Sequence, residues 1–158
     1  MAFGLNAQTC TIQFKIKNAG FTVDGTMAAG KIDFNFNPDD LASSSIMAEA
    51  DPSSVKTGID LRDKHLKKRD YFDVANHPVI TMQSVSFEKQ DKNTFAGYFD
   101  LTLKQTTQRI KMIITVVYDD NDKPTYRGSF KINRLDYQLG EKSLILDEDV
   151  NVLLTLKH

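Results

Sequence analysis

Apolar and polar residues alternate with period two along most of this chain. In QTCTIQFKIK, residues 8–17, Cys10, Ile12, Phe14 and Ile16 fall on one side, and Thr11, Gln13, Lys15 and Lys17 on the other. Successive side chains leave opposite faces of a pleated strand, so this period predicts a strand with one dry and one wet face. NAGFTVDG follows as a turn and a short strand. GKIDFNFNPDD then alternates Ile32, Phe34 and Phe36 with Asp33 and Asn35, and Pro38, Asp39 and Asp40 close it. Residues 41–50 form a weaker strand with Ser44, Ile46, Ala48 and Ala50 on one side.

The second half repeats the pattern more strongly. Pro78 opens VITMQSVSFEKQ at a strand start, where the missing N–H is tolerated. TFAGYFDLTLK places Phe95, Gly97, Phe99, Leu101 and Leu103 on one face. RIKMIITVVYDD runs back with Met112 and Ile114 inward, and DDNDKP is wholly turn-like. TYRGSFKINRLDYQLG contributes Gly128, Phe130 and Ile132, and DEDVNVLLTLKH contributes Val150, Val152, Leu154 and Leu156. The chain is therefore all-β, with about eight strands joined mainly by short turns. Such a meander closes into an antiparallel barrel, which removes its exposed edges, or folds into a two-sheet sandwich. No linker, internal repeat or low-complexity segment divides it, so residues 8–158 read as one domain.

One stretch breaks the period. In TGIDLRDKHLKKRDYFD, residues 57–73, charges cluster and Leu61, His65 and Phe72 fall at helical offsets. Asp60 and Asp63 near its start and Lys64, Lys67, Lys68 and Arg69 further on suit a helix dipole. The stretch predicts a short helix between the middle strands, either a lid across one barrel mouth or a solvated connection.

The dry face is the informative feature. Phe14, Ile16, Phe34, Phe36 and Ile46 would converge with Phe99, Leu101, Met112 and Ile114, and with Phe130, Ile132, Val152 and Leu154. Inside an eight-stranded barrel such side chains either fill the interior or leave room for one small ligand. Val79, Val85, Ile113 and Val117 are apolar on the side that should be wet, which predicts packing under the helical stretch or a partner interface.

Composition excludes more than it adds. Hydrophobic residues make up 41%, enough for a core, and the formal charge is -1 from twenty basic and twenty-one acidic residues. That balance argues against a nucleic-acid surface or a polybasic membrane patch, and no apolar run is long enough to span a bilayer as a helix. Cys10 is the single cysteine, so no disulfide framework or cysteine metal cluster is expected; it reads as a small buried hydrophobe, with lipid anchorage a weaker alternative. His65, His77 and His158 lack metal-ligand spacing, and no nucleophile elbow or phosphate loop is present. Neither catalysis, nor a metal, nor a cofactor is expected. Residues 1–7, MAFGLNA, read as the tail of an export signal or as an ordinary frayed terminus.

SSVKTGIDLRDKHLKKRDYFDVANHPVITMQSVSF resembles the signature region of the YceI-like family, through Thr57-Gly58, Arg62-Asp63, His65-Leu66, Tyr71-Phe72-Asp73 and Pro78-Val79-Ile80. GYFDLTLKQTTQRIKMIITV and INRLDYQLG, with Asn133, Arg134, Asp136 and Tyr137, resemble two further family segments. The resemblance runs from about Phe14 to the C-terminus. It implies a lipocalin-like closed barrel in an exported bacterial protein, periplasmic or secreted. It also implies a non-catalytic role: carriage or sequestration of a long apolar lipid such as a polyisoprenoid. Some members are dimers, so a homodimer is admitted. The alternative is a filled barrel acting as a stress-related or structural interaction module without a ligand. Arg62, Asp63, Arg134 and Asp136 stand at recurring positions. They would either grip a polar headgroup or pair Arg with Asp to pin the helix to the last hairpin, the reading favoured here. Two departures concern loops. KQTTQ replaces a turn that carries Gly in many relatives, and the Asn-Arg segment ends Tyr-Gln-Leu-Gly.

Overall fold

The computed structural model describes residues 9–157. The expected terminal segment 1–7 therefore lies outside the described residues. Eight strands follow one another: β1 (Thr9–Asn18), β2 (Phe21–Asn35), β3 (Ser45–Lys56), β4 (Ile80–Asp91), β5 (Thr94–Leu103), β6 (Thr106–Tyr118), β7 (Pro124–Asn133) and β8 (Asp149–Lys157). Each pairs antiparallel with its sequence neighbour, and β8 returns to β1, so the sheet closes as a barrel. The sandwich alternative is thereby excluded. Closure leaves no row of unpaired backbone groups at a sheet edge.

The period-two pattern becomes the register. Phe14 on β1 lies opposite Gly25 on β2 and Val152 on β8, and Val152 lies opposite Phe130 on β7. One inward belt therefore runs across four strands. The glycine in it is a fit to its neighbour: a Cβ at Gly25 would overlap the Phe14 ring, which lies across the bare backbone. Gly128 similarly makes way for the Met112 sulfur, and Gly97 for Phe99.

Boundaries differ from expectation in three places. The short strand and the Ile32–Phe36 strand merge into β2, which runs through a turn-free Thr26–Lys31 segment with two register shifts against β3. Residues 41–43 form a 3₁₀ turn closed by Asp40, whose carboxylate accepts from the Ser43 hydroxyl at 2.7 Å, so β3 starts later and runs on to Lys56. The Asn-Arg segment leaves β7 as a second 3₁₀ turn, Arg134–Tyr137.

The helix α1 (Asp60–Leu66) has two turns, shorter than the 57–73 stretch that predicted it. Beyond it the chain continues in turns to Ile80. α1 and these turns cross one barrel end, together with the β1–β2 and β5–β6 hairpins and the long β7–β8 loop. We call this end the mouth. The β3–β4 seam beside it has four register pairs, against ten in the β5–β6 seam. Val79, Val85, Ile113 and Val117 are exposed, so none packs under the helix.

Candidate ligand-binding site

The interior is divided lengthwise. Along β5 and β6 the inward side chains Phe95, Phe99, Leu101, Leu103, Ile110, Met112, Ile114 and Val116 are buried. Along β1 the inward Ile12, Phe14 and Ile16 are only half-buried, as are Val152 and Leu154 on β8. Inward side chains that remain partly accessible border empty space, and that space is a cavity of about 400 Å³. Its size falls within the roughly 300–1,000 Å³ typical of small-ligand sites.

Away from the mouth the interior is filled by packed rings, none of which lines the cavity. Phe36 makes edge contacts with Phe87, Phe95 and Tyr126, at centroid separations of 5.2, 5.3 and 5.9 Å. Phe34 lies 4.8 Å from Tyr126, and Phe87 lies 5.8 Å from Phe99. Tilted and edge-on pairs are favoured arrangements for quadrupolar rings, so this plug is a packed element rather than loose filler. Its packing also pushes the Tyr126 pKa up, through burial first and the nearby Tyr118 second.

The expected lining set therefore splits. Phe14, Ile16, Leu101, Phe130, Ile132, Val152 and Leu154 line the cavity. Phe34, Phe36, Ile46, Phe99, Met112 and Ile114 belong to the filled side or pack against it. The expectation of a shared wall for all thirteen is corrected: register sets which way a side chain points, but ring packing decides whether anything empty lies beyond it. Val23, Met27 and Ala29 of β2, and Leu139 and Leu146 of the β7–β8 loop, also line the cavity and were missed. The expected all-apolar lining is also corrected: Glu49, Arg62 and Arg134 reach it. Cys10 lines it too, with its thiol pKa raised by burial.

Over the mouth, Leu66 of α1 and Tyr71 and Phe72 of the following turn face the cavity, with His65 and Tyr71 in an edge contact at 5.3 Å. Leu61 points to solvent, correcting its place on the covering face. A helix of two turns turns only a narrow face inward, and the Phe72 ring arrives from the turn, not from the helix.

The four charged residues are not paired as expected. The Asp63 carboxylate accepts from the Thr57 backbone N–H at 2.8 Å and from its hydroxyl at 2.6 Å. Arg62 donates from Nε to the same hydroxyl at 2.7 Å and from Nη2 to the Thr57 carbonyl at 2.6 Å. Arg134, buried, donates to the carbonyls of Asp147 and Leu139, each at 2.9 Å, and of Leu146 at 3.3 Å. Asp136 is exposed. Among the described residues no Arg–Asp pair ties the helix to the last hairpin. The arginines stiffen their own loops by satisfying backbone groups that burial would otherwise leave unpaired.

Other contacts hold the lid. Lys104, in the β5–β6 turn, donates to the Gln138 carbonyl at 2.9 Å and to the Arg69 carbonyl at 3.4 Å. The Gly140 N–H donates to the Asp70 carbonyl at 2.7 Å, and the bare Gly140 backbone lies against the Tyr71 ring. Both loop departures noted in the sequence, KQTTQ and Tyr-Gln-Leu-Gly, thus meet at this clamp.

Among the described residues no three His, Cys, Asp or Glu side chains gather as metal ligands, and no helix is long and apolar enough to cross a membrane.

The family model described as YceI-like domain matches residues 3–158. A UPF0312 protein of Pseudomonas savastanoi pv. phaseolicola is 27% identical over 153 residues, 91% of this chain and 80% of the relative. One from Azotobacter vinelandii is 21% identical over 156 residues, 95% of this chain and 81% of the relative. Among solved structures, BcnA of Burkholderia cenocepacia superposes with a TM-score of 0.84 at 19% identity, covering 93% of this chain and 94% of that one. A polyisoprenoid binding domain from Saccharophagus degradans, implicated in plant cell wall breakdown, superposes with a TM-score of 0.67 at 15% identity, covering 93% and 91%. At these identities the structural likenesses establish the barrel alone.

Proposed function

The chain belongs to the YceI-like family, and on that premise we propose that it binds one end of a long apolar lipid, a polyisoprenoid or a molecule like it, in the barrel cavity. The observation that carries this reading is the half-hollow interior: a cavity of about 400 Å³ bordered by Ile12, Phe14, Ile132, Val152 and Leu154 and roofed by Leu66 and Phe72. Burial of apolar surface yields about 0.8 kcal/mol per methylene, so a modest length of chain offsets the cost of immobilising it. Below the mouth a polar substrate would meet Glu49 and Thr81 on one wall and apolar side chains on the rest. Support for the isoprenoid class comes from the structural likeness to the polyisoprenoid binding domain, whose description names that ligand.

The filled-barrel alternative describes the β5–β6 side well and the β1–β8 side badly. The reading requires no catalytic step: the protein carries or sequesters its ligand. Thr57, Arg62, His65 and Arg134 border the cavity at the mouth, where a polar headgroup would rest. We assign the protein to the bacterial periplasm or exterior, as the family resemblance implies.

The test is direct. Protein purified without added ligand is extracted with organic solvent, and the extract is analysed by mass spectrometry, alongside uptake of a labelled polyprenol. About one lipid per barrel is expected. A clean extract together with no uptake would overturn the reading.

A further inference from the structure

The barrel ends differ in chemistry. Six large apolar side chains at or beside the mouth are exposed: Phe21 at 77%, Leu61 at 78%, Leu144 at 105%, and Ile59, Val79 and Ile145. They come from three separate segments, the β1–β2 hairpin, the β3–β4 connection and the β7–β8 loop. Two of these are joined directly, since the Ala19 N–H donates to the Ile145 carbonyl at 2.8 Å. Exposed apolar residues scattered singly need no explanation, but tips gathered at the one barrel end whose cover faces an apolar cavity do.

Charge separates the ends as well. The segments of the mouth, residues 18–21, 57–79, 104–105 and 134–148, carry eight basic and eight acidic side chains. Those of the opposite end, 36–44, 92–93 and 119–123, carry two basic and five acidic ones. An anionic surface therefore repels the far end more than the mouth, where Lys64, Lys68, Arg69 and Lys142 are exposed beside the apolar tips along with Asp60, Asp70, Asp136, Glu141 and Asp147. Apolar side chains flanked by lysine and arginine are the makings of a surface that lies in a bilayer interface.

We propose that the mouth docks on an anionic lipid bilayer, inserting Phe21, Leu61 and Leu144 at headgroup depth, and that the lipid enters and leaves the cavity there without crossing water. This rests on the lipid-binding reading and adds to it the place of exchange. The outer wall, where Val85, Ile113 and Val117 are exposed, takes no part.

The test uses the full chain and sucrose-loaded vesicles of phosphatidylethanolamine and phosphatidylglycerol. The wild type is expected to sediment with the vesicles and to extract labelled polyprenol from them. A Leu61→Asp, Leu144→Asp double variant alters two side chains that are 78% and 105% exposed, so folding is not at stake. It should lose vesicle binding and slow extraction by about tenfold or more. It should still load to wild-type stoichiometry when the polyprenol is supplied as an ethanol dispersion. Val117→Asp, on the outer wall, should sediment like wild type. A wild type that stays in the supernatant, or a double variant that sediments unchanged, overturns the docking. Sedimentation that depends on Leu61 and Leu144, with no polyprenol taken up by either route, would leave the docking standing and remove the lipid-carrier reading.

Discussion

The Lys104 ammonium donates to the Gln138 carbonyl at 2.9 Å, and both residues hold left-handed backbone, at φ +57° and +58°. Two strained positions thus face each other across the mouth, joined by a charged hydrogen bond. A side chain in the left-handed region costs on the order of 1–2 kcal/mol. A hydrogen bond from a charged donor contributes about 1.5–3 kcal/mol. The lysine therefore offsets the strain it incurs, which glycine at this turn would avoid without supplying a clamp.

Substitution at position 104 separates the two effects. Lys104→Ala keeps the strain and loses the clamp, and should destabilise the fold by about 1.5–3 kcal/mol. Lys104→Gly loses both and should fall within about 1 kcal/mol of wild type. Both variants should speed hydrogen exchange of the Gly140 amide, which bonds to the Asp70 carbonyl. Urea titration and amide exchange provide the two readouts. Equal stability losses in the two variants would show that the strain is negligible.

Gly25→Ala should send the Phe14 ring into the cavity. The new methyl group meets the far end of the ring, which has empty space to move into, so the cost should be about 1 kcal/mol, at the low end for overpacking. Labelled polyprenol uptake should fall. Adding Phe14→Leu should restore uptake, because a shorter side chain clears the methyl group. Uptake and urea denaturation of the single and double variants check this.

Tryptophan on the two sides of the interior should behave in opposite ways. Ile132→Trp extends into the cavity and should reduce ligand occupancy at modest cost in stability. Ile114→Trp enters the filled side and should cost about 1–3 kcal/mol or more while leaving occupancy of the surviving folded protein near wild type. Phe99→Asp is uninformative for binding: Phe99 is fully buried in the filled side, and a carboxylate there would unfold the barrel. Occupancy by mass spectrometry, normalised to folded protein, decides between the sides.

Tyr137 is 1% exposed, and its hydroxyl has no hydrogen-bond partner among the described residues. Burial, aided by Asp136, pushes its pKa up to about 12 from an ordinary 10. The folded value lies above the unfolded one. The stability linked to this phenol is therefore intact below pH 10 and is lost as pH rises towards 12. Tyr137→Phe should raise stability by about 1 kcal/mol at pH 7, by removing an unpaired hydroxyl, and should make the alkaline loss shallower. Urea titrations at pH 7 and pH 11 test both. A loss of stability at pH 7 would mean that the hydroxyl is paired in solution.

Strand direction and inward identity were legible because period two is a geometric property of the strand itself: Phe14, Phe99 and Val152 point inward as their alternation requires. Where the hollow lies was not legible. It depends on how Phe34, Phe36 and Tyr126 tilt against one another, and on cross-strand partners such as Phe14 and Gly25, which no single strand contains. The pairing of Arg62 and Arg134 was misread for a similar reason. Their acceptors are the Thr57 hydroxyl and backbone carbonyls, which every residue has, whereas the carboxylates of Asp63 and Asp136 stand out in a sequence. Leu61 was misplaced on the covering face, which Leu66 takes instead, because helical offsets define a face only up to rotation, and two turns constrain that rotation weakly.

The cluster of rings around Phe36 acts as a brace. It joins Phe87 of β4, Phe95 of β5 and Tyr126 of β7 to the end of β2. With that side of the cylinder held rigid by its own side chains, the β1–β8 wall can keep an unfilled interior without the barrel flattening onto it.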